Sequence, residues 1–405
     1  MAIALALVPS SSTAHDRLVS PDPVDNTPHV LDGIVNALAL VGDTVVVGGA
    51  FSEVTDASRQ TVLTRANLFA YSLSTGQILP DFAPDLDGPV SALTSGPSGT
   101  VYVGGDFSTI NQSAGGALTR LNLTDGSAVA GFDPQIVDGS VSTLARRGAQ
   151  LYAGGDFEQV GESAKAGLAR LNATTGAVDP TFTITPGTPL TPKVKVYALA
   201  LSRDRLAVDG SFTTLDGLSR PQVGLVDIST ATPRLADWRT DAYTAKCMAS
   251  FPSYVRGLDF APDGSYFALV TTGGPRGRGS LPCDTAARFE TYTTGRTIRP
   301  TWVNHTGGDS LYSVAATGAA VYVGGHQRWM DNPKGKDTAG PGAVPREGIA
   351  AIDPLSGKAL AWNPGRERGI GVKAFLAHKG GLLVGSDTTR LGREYHARIG
   401  MFPLP

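Results

Sequence analysis

The chain is short of charge, of cysteine and of long apolar runs. Only 17% of its 405 residues are charged, against a usual ~25%. A formal net charge of −2 gives no overall pull toward nucleic acid or an anionic membrane, so any partner must be recognised by local groups. After the N-terminal segment no stretch is long and apolar enough to cross a bilayer as a helix, and no membrane span is expected. The two cysteines, Cys247 and Cys283, lack the CxxC spacing of a zinc or redox motif. Nucleophile elbow, phosphate loop and HExxH helix are all missing, so neither a standard reaction nor a cofactor is implied. No repeated ligand spacing indicates a metal, although a structural calcium or other ion is left open.

Glycine, by contrast, is abundant: 50 of 405 residues, about 12%, against a usual ~7%. Much of it marks a repeat, with VVVGGAF at 45, VYVGGDF at 101, LYAGGDF at 151, LAVDGSF at 206, VYVGGHQ at 321 and LLVGSDT at 382. A degenerate copy, YFALVTTGG, lies at 266. Each copy follows a short apolar segment, such as VNAL at 35 or VSAL at 90, and most precede a third segment ending in a tight turn such as SLSTGQ or ATTGAV. A fourth segment closes on Phe82, Phe132, Phe182, Trp238, Trp302 or Trp362. Four antiparallel strands repeated seven times predict an all-β, seven-bladed β-propeller. The strands are apolar on both faces because each sheet is covered on both sides, and the aromatics fill the wedge between sheets.

The last repeat stops at IGMFPLP, after its third strand, whereas DNTPHVLDG at 25–33 resembles the ends of complete fourth strands. The N-terminal strand is therefore expected to close the last blade and remove its open edge. Residues 15–405 are read as one propeller domain. Residues 1–14 are read as a signal-peptide remnant or disordered start, with Ser12 and Ala14 placed as for cleavage, which predicts an exported, extracellular protein.

With its GGDF, RLN and TG-turn elements and its terminal Phe, the pattern resembles the secreted bacterial propellers built from the delta-sixty type of repeat. The likeness is strongest from Val45 to Phe182. The later stretch, GGHQRWMDNP followed by PGAVPREGIAAIDP and WNPGR, resembles a module of secreted actinobacterial proteins, often found beside adhesive or carbohydrate-binding domains. The resemblance implies a fold and a compartment; it carries no established activity.

Function is sought where the repeats depart from one another. The loops after the second strand are ordinary early on, as in FSTINQSAGG, and become long and basic later, as GGPRGRGSLPCDT and HQRWMDNPKGKDTAGPGAVPRE. Loops before the first strand lengthen at the same place, and all are expected on one face. Cys247 and Cys283 fall in two of these loops, so a disulfide on that rim is expected of an exported chain. The second residue of each first strand reads Asn36, Ser91, Ser142, Tyr197, Arg256, Tyr312 and Lys373, an arc that turns from small to large and cationic around the channel mouth. His326 and Asp387 end second strands at the same face. Arg366, Arg368 and Arg390 join them as anion clamps, Arg328 lies in the same basic loop, and Trp329 is a stacking platform or a plug. His326 with Asp331, and His305 with Asp309, could pair on a metal, but without a repeated ligand spacing hydrogen bonding within the loops is the favoured reading. Asp106 and Asp156 are read as turn-bonding residues. Asn111, Asn122, Asn172 and Asn304 match the N-glycosylation pattern.

These readings favour an extracellular binding module for a polyhydroxylated or anionic ligand, a glycan above all. One alternative is an enzyme on acidic polysaccharide, a lyase or hydrolase in which Tyr197, Tyr312 and His326 exchange protons. Another is a protein-interaction scaffold.

Overall fold

The computed structural model describes residues 13–274, 281–295 and 297–405. The expected leader therefore lies almost wholly outside the described residues, as do residues 275–280 of the basic loop before Cys283. The architecture is all-β and propeller-like, without a helix among the described residues. Seven sheets share one plan, in which a middle strand pairs antiparallel with an inner and a third strand. The inner strands are Ile34–Val41, Val90–Ser95, Val141–Arg147, Val196–Leu201, Val255–Phe260, Leu311–Ala316 and Ala374–His378. Each packs against the next, and Ala374–His378 packs against Ile34–Val41.

The VGG motif explains how neighbouring sheets fit. A Cβ added at Gly104, Gly154, Gly324 or Gly385 would lie 2.5–2.6 Å from a side-chain carbon of Val141, Val196, Val372 or Val35 respectively. Each of those valines stands at the start of the following sheet, and Gly48 meets Val90 in the same way. Only a residue without a side chain lets the next sheet come this close. Two sheets break the rule: Asp209 pairs with Ala198 where glycine is usual, and Val270 pairs with Gly257, so in the latter the missing side chain has moved to the inner strand.

The expected aromatics are buried where adjacent sheets meet. Phe132 lies edge-on to Tyr102 with ring centroids 5.3 Å apart, Phe182 to Tyr152 at 5.7 Å and Trp362 to Tyr322 at 5.2 Å. Each such ring contributes roughly 1.5–3 kcal/mol of burial.

The expected fourth strand is not regular. Among the described residues only the fourth and fifth sheets carry one, Arg234–Leu235 and Trp302–His305. In four others it shrinks to a single bridge: Tyr71 with Ile78, Leu121 with Ala128, Leu171 with Val178, and Ile352 with Ala359. Pro80 and Pro180 follow two of these bridges closely, and proline cannot donate to a ladder. The N-terminal strand likewise makes no ladder with the last sheet. It runs alongside as a strap, with Ser20 N–H donating to Pro403 O (2.7 Å), Val24 N–H to Met401 O (2.9 Å) and Val30 N–H to Ala397 O (3.0 Å). Pro21 and Pro23 interrupt it for the same reason.

The loops after the second strands contain short hairpins, including Thr109–Ile110 with Ser113–Ala114 and Trp329–Met330 with Val344–Pro345. Cys247 and Cys283 are disulfide-bonded, 36 residues apart, and both are buried.

Two stability outcomes follow. Gly104→Val, forced against Val141, is expected to lower unfolding free energy by about 1–3 kcal/mol; an unchanged urea midpoint would refute the packing rule. Replacing both cysteines by serine opens the loop they close and is expected to cost about 2–4 kcal/mol in the same assay.

Candidate functional site

The arc of unlike residues has a backbone cause. In six sheets the pairing of inner and middle strands slips by one residue directly after the first valine or leucine. The residue skipped is Asn36, Ser91, Ser142, Tyr197, Arg256 or Tyr312. Lys373 occupies the matching place before Ala374, its N–H donating to Gly385 O at 3.0 Å. A bulge leaves its extra residue unpaired and re-aims the side chain. All seven are half-buried, whereas the residue before each is fully buried.

The structure brings the large members together. The Arg256 guanidinium lies 4.5 Å from the centre of the Tyr197 ring, steered by hydrogen bonds to Val255 O (2.9 Å) and Ser253 O (2.8 Å). Lys373 Nζ lies 3.5 Å from the centre of the Tyr312 ring. Burial pushes the Lys373 ammonium down to about 8, with Asp387 opposing the shift and Arg256 reinforcing it. Burial also raises the Tyr312 phenol.

His326 stands beside Tyr312, ring centroids 5.7 Å apart. Its Nε2 accepts from Ser310 N–H at 3.2 Å, and its Nδ1 lies 3.3 Å from Ile370 O. A carbonyl can only accept, so the network assigns the proton to Nδ1, from which the Tyr312 oxygen at 3.4 Å also receives. Both ring nitrogens are thus engaged in the neutral form, and burial lowers the pKa further.

Next to the arc, three loops are tied together by charge. Asp309, 2% exposed, accepts from Arg328 N–H (3.0 Å), Arg328 Nε (2.9 Å) and Nη2 (3.0 Å), and from Arg368 Nη2 (2.8 Å). Arg328 also pairs with Asp337 and lies 4.4 Å over the Trp329 ring. Arg368 Nε donates to His326 O at 2.9 Å. Buried Arg366 pairs with Asp387 at 2.8 Å, and burial holds its guanidinium down at about 10. Asp387 in turn accepts from the N–H groups of Ile370 and Gly371. Most of the expected anion clamps are therefore internal ties. Arg390 donates to Arg393 O at 3.1 Å, and both line a cleft of about 600 Å³ with Trp329, Glu347, Arg366 and Glu367.

Neither metal pair forms. The carboxylate of Asp309 is taken by arginines, and that of Asp331 accepts from Asn304 Nδ2 (2.7 Å) and Ala359 N–H (3.2 Å) rather than meeting His326. His305, its pKa lowered by burial, has no part in either contact. Asn304 is buried and also donates to Gly357 O at 2.8 Å, which closes that glycosylation match. Asp156 bonds across the strand pair rather than within its own turn, accepting from Ser140 N–H at 2.8 Å just before the inner strand.

Three polar residues escaped the sequence reading. Asn332, fully buried, knits the long loop by donating to Thr306 O (2.9 Å) and Thr338 O (3.0 Å) and accepting from Gly340 N–H (2.8 Å). Asp284 accepts from Ser310 Oγ at 3.1 Å while its other oxygen is buried without a partner, and burial pushes its carboxyl up to about 7. Asp209 accepts from Ala198 N–H at 2.9 Å, leaves its second oxygen without a partner, and is pushed up to about 8 by burial. Only Asp209 had a visible signal, as the D of LAVDGSF where other repeats have glycine.

Residues 96–128 and 150–182 match the family model described as "Domain of unknown function (DUF5122) beta-propeller". No curated protein matches the chain. Among solved structures, the RRP9 WD40 repeats are similar at 14% identity and TM-score 0.57, over 95% of this chain and 99% of that one. A computationally designed protein, Ika8, is similar at 12% identity and TM-score 0.51, over 98% and 100%. At such identities the likeness is one of fold.

The low Lys373 value has a testable sign. Between about 8 in the folded chain and the ordinary ~10.4 of an unfolded lysine, the unfolded state binds more protons, so stability rises with pH. The stability of the wild type relative to Lys373→Met, followed by urea unfolding, is expected to increase across that window and to be constant below it. A difference that stays flat throughout would show the ammonium to be solvated.

Proposed function

We propose that the chain is an exported, seven-bladed β-propeller of the delta-sixty repeat type acting as a binding module. In this reading the bulged arc holds an anionic, polyhydroxylated ligand of the acidic-glycan class. The observation that supports it most is the pairing of Arg256 on Tyr197 and Lys373 on Tyr312, at 4.5 Å and 3.5 Å, side by side on one face. Arg256 bonds only backbone carbonyls in these contacts, and Lys373 is held where burial disfavours its charge. A carboxylate or sulfate arriving there gains two partly desolvated cations whose attraction water does not fully screen. Sugar hydroxyls find the phenol oxygens beside them.

The state of His326 favours binding over reaction. With its proton facing Ile370 O and its lone pair occupied by Ser310 N–H, it has no free site for proton exchange. The buried Cys247–Cys283 disulfide suits an oxidising compartment, and among the described residues no helix is long and apolar enough to cross a membrane.

The test is retention of the purified chain on polyuronate, sulfated polysaccharide and neutral glucan, with assay for new unsaturated or reducing ends. Retention on the acidic polymers without products is expected. Arg256→Gln and Lys373→Met should each weaken it about tenfold, the scale of one charged hydrogen bond. Products lost on Tyr312→Phe would make the protein an enzyme, and no retention on any glycan would favour a protein-interaction scaffold.

A further inference from the structure

The cleft beside the arc carries a different chemistry. Half-exposed Trp329 lines it together with Arg390, Arg393, Glu347, Glu367 and Asn363. Its volume of about 600 Å³ falls within the ~300–1,000 Å³ of small-ligand sites. The two other arginines of its wall are already tied, Arg328 to Asp309 and Asp337 and Arg366 to Asp387. The remaining charges of the lining, on Arg390, Arg393, Glu347 and Glu367, are two of each sign and cancel. An arriving anion therefore meets the glutamates and an arriving cation the arginines, and each is opposed by like charge. A neutral ring bearing hydroxyls suits both, since arginine donates, glutamate accepts and asparagine does either.

Trp329 adds an apolar surface to this polar setting. The other tryptophans, Trp238, Trp302 and Trp362, are buried in the core. The guanidinium of Arg328, fixed by Asp309, lies 4.4 Å over the Trp329 ring and holds the indole in the wall. A rigid amphipathic ring of this kind packs well against the C–H face of a sugar.

The cleft and the arc share one segment of chain. Gly365, Arg366 and Glu367 line the cleft. Further along, Arg368 Nε donates to His326 O, Ile370 O receives from His326 Nδ1 at 3.3 Å, and a Cβ added at Gly371 would lie 2.9 Å from Tyr312 Cδ2. Glu367 to Gly371 is four residue steps, at most about 14 Å of extended backbone, so a short oligosaccharide reaches both places.

We propose that the cleft is a second subsite, for a neutral pyranose, and that the ligand is a heteropolysaccharide in which acidic and neutral sugars adjoin. The acidic unit lies on Arg256 and Lys373 in the arc, and the neutral unit against Trp329. This rests on the acidic-glycan reading of the arc and narrows it. Linking the two contacts through one ligand chain raises affinity above that of either alone.

The test is calorimetric titration of the full chain with two probes of equal length. One is hyaluronan hexasaccharide, which alternates uronate with a neutral amido sugar; the other is oligogalacturonate, which is uronate throughout. The hyaluronan oligomer is expected to bind at least about tenfold more tightly and to quench tryptophan emission. A surface that reads charge alone would prefer the oligogalacturonate, which carries more carboxylates. Trp329→Ala, and Glu347→Gln at an exposed side chain, should each lower the ratio of the two affinities about threefold or more. Equal affinities, tighter binding of the oligogalacturonate, or a ratio unmoved by both variants would overturn the second subsite and leave the arc reading standing. If neither oligomer binds, the arc reading fails and the narrower one falls with it.

Discussion

The contact on which the rest depends is between a bare glycine in one sheet and the leading valine of the next. At Gly48, Gly104, Gly154, Gly324 and Gly385 the space of a side chain is taken by a neighbour's isopropyl group. The inner strands are thereby drawn together closely enough to exclude water between their apolar faces. Since Gly385 receives Val35, the same contact that joins the first sheet to the second also joins the last to the first. The strap adds hydrogen bonds around this junction, but it is the small residue that allows the approach.

The candidate site is a by-product of that packing. Val35, Val90, Val141 and Val196, each seated on a neighbour's glycine, are held in place, and the register slip immediately after them frees the following residue from the core; Val255 and Leu311 precede the same slip although the sheets before them lack the glycine. The fold therefore constrains the valine strictly and the bulged residue hardly at all. Asparagine and serine at early positions, and tyrosine, arginine and lysine at later ones, are all accommodated. The two sheets that break the glycine rule border this cationic stretch. Asp209 replaces a glycine beside the bulge carrying Tyr197, and burial pushes its carboxyl up to about 8, with the Ala198 N–H and the Arg256 guanidinium only partly opposing the shift. A position normally kept empty for packing there holds a buried, hydrogen-bonded carboxyl.

Much of the fold was legible because it rests on local repetition. VGG, the apolar segment before it and the TG turn each report a short-range requirement, and their recurrence predicts stacked sheets. The fourth strands were less legible, since a segment of the right length and aromatic ending makes only one bridge when its backbone lacks donors or turns away, as after Ile78 and Val178. The arc was found by comparing equivalent positions, although the bulge that creates it leaves no residue signature of its own. What was not legible were the partners of the loop carboxylates. His326 and Asp331 are close along the chain, yet Asp331 turns to Asn304 and Asp309 turns to two arginines. Conversely, Trp329 and Arg393 are brought to one cleft by the fold, which no local motif reveals.

A double-mutant cycle on Gly385 and Val35 tests the central claim most directly, because it measures the glycine-to-valine contact between the last sheet and the first. Gly385→Ala should destabilise the wild type by about 1–3 kcal/mol but considerably less in a Val35→Ala background, giving a coupling energy of about 0.5 kcal/mol or more. Strictly additive effects in urea unfolding would contradict the account.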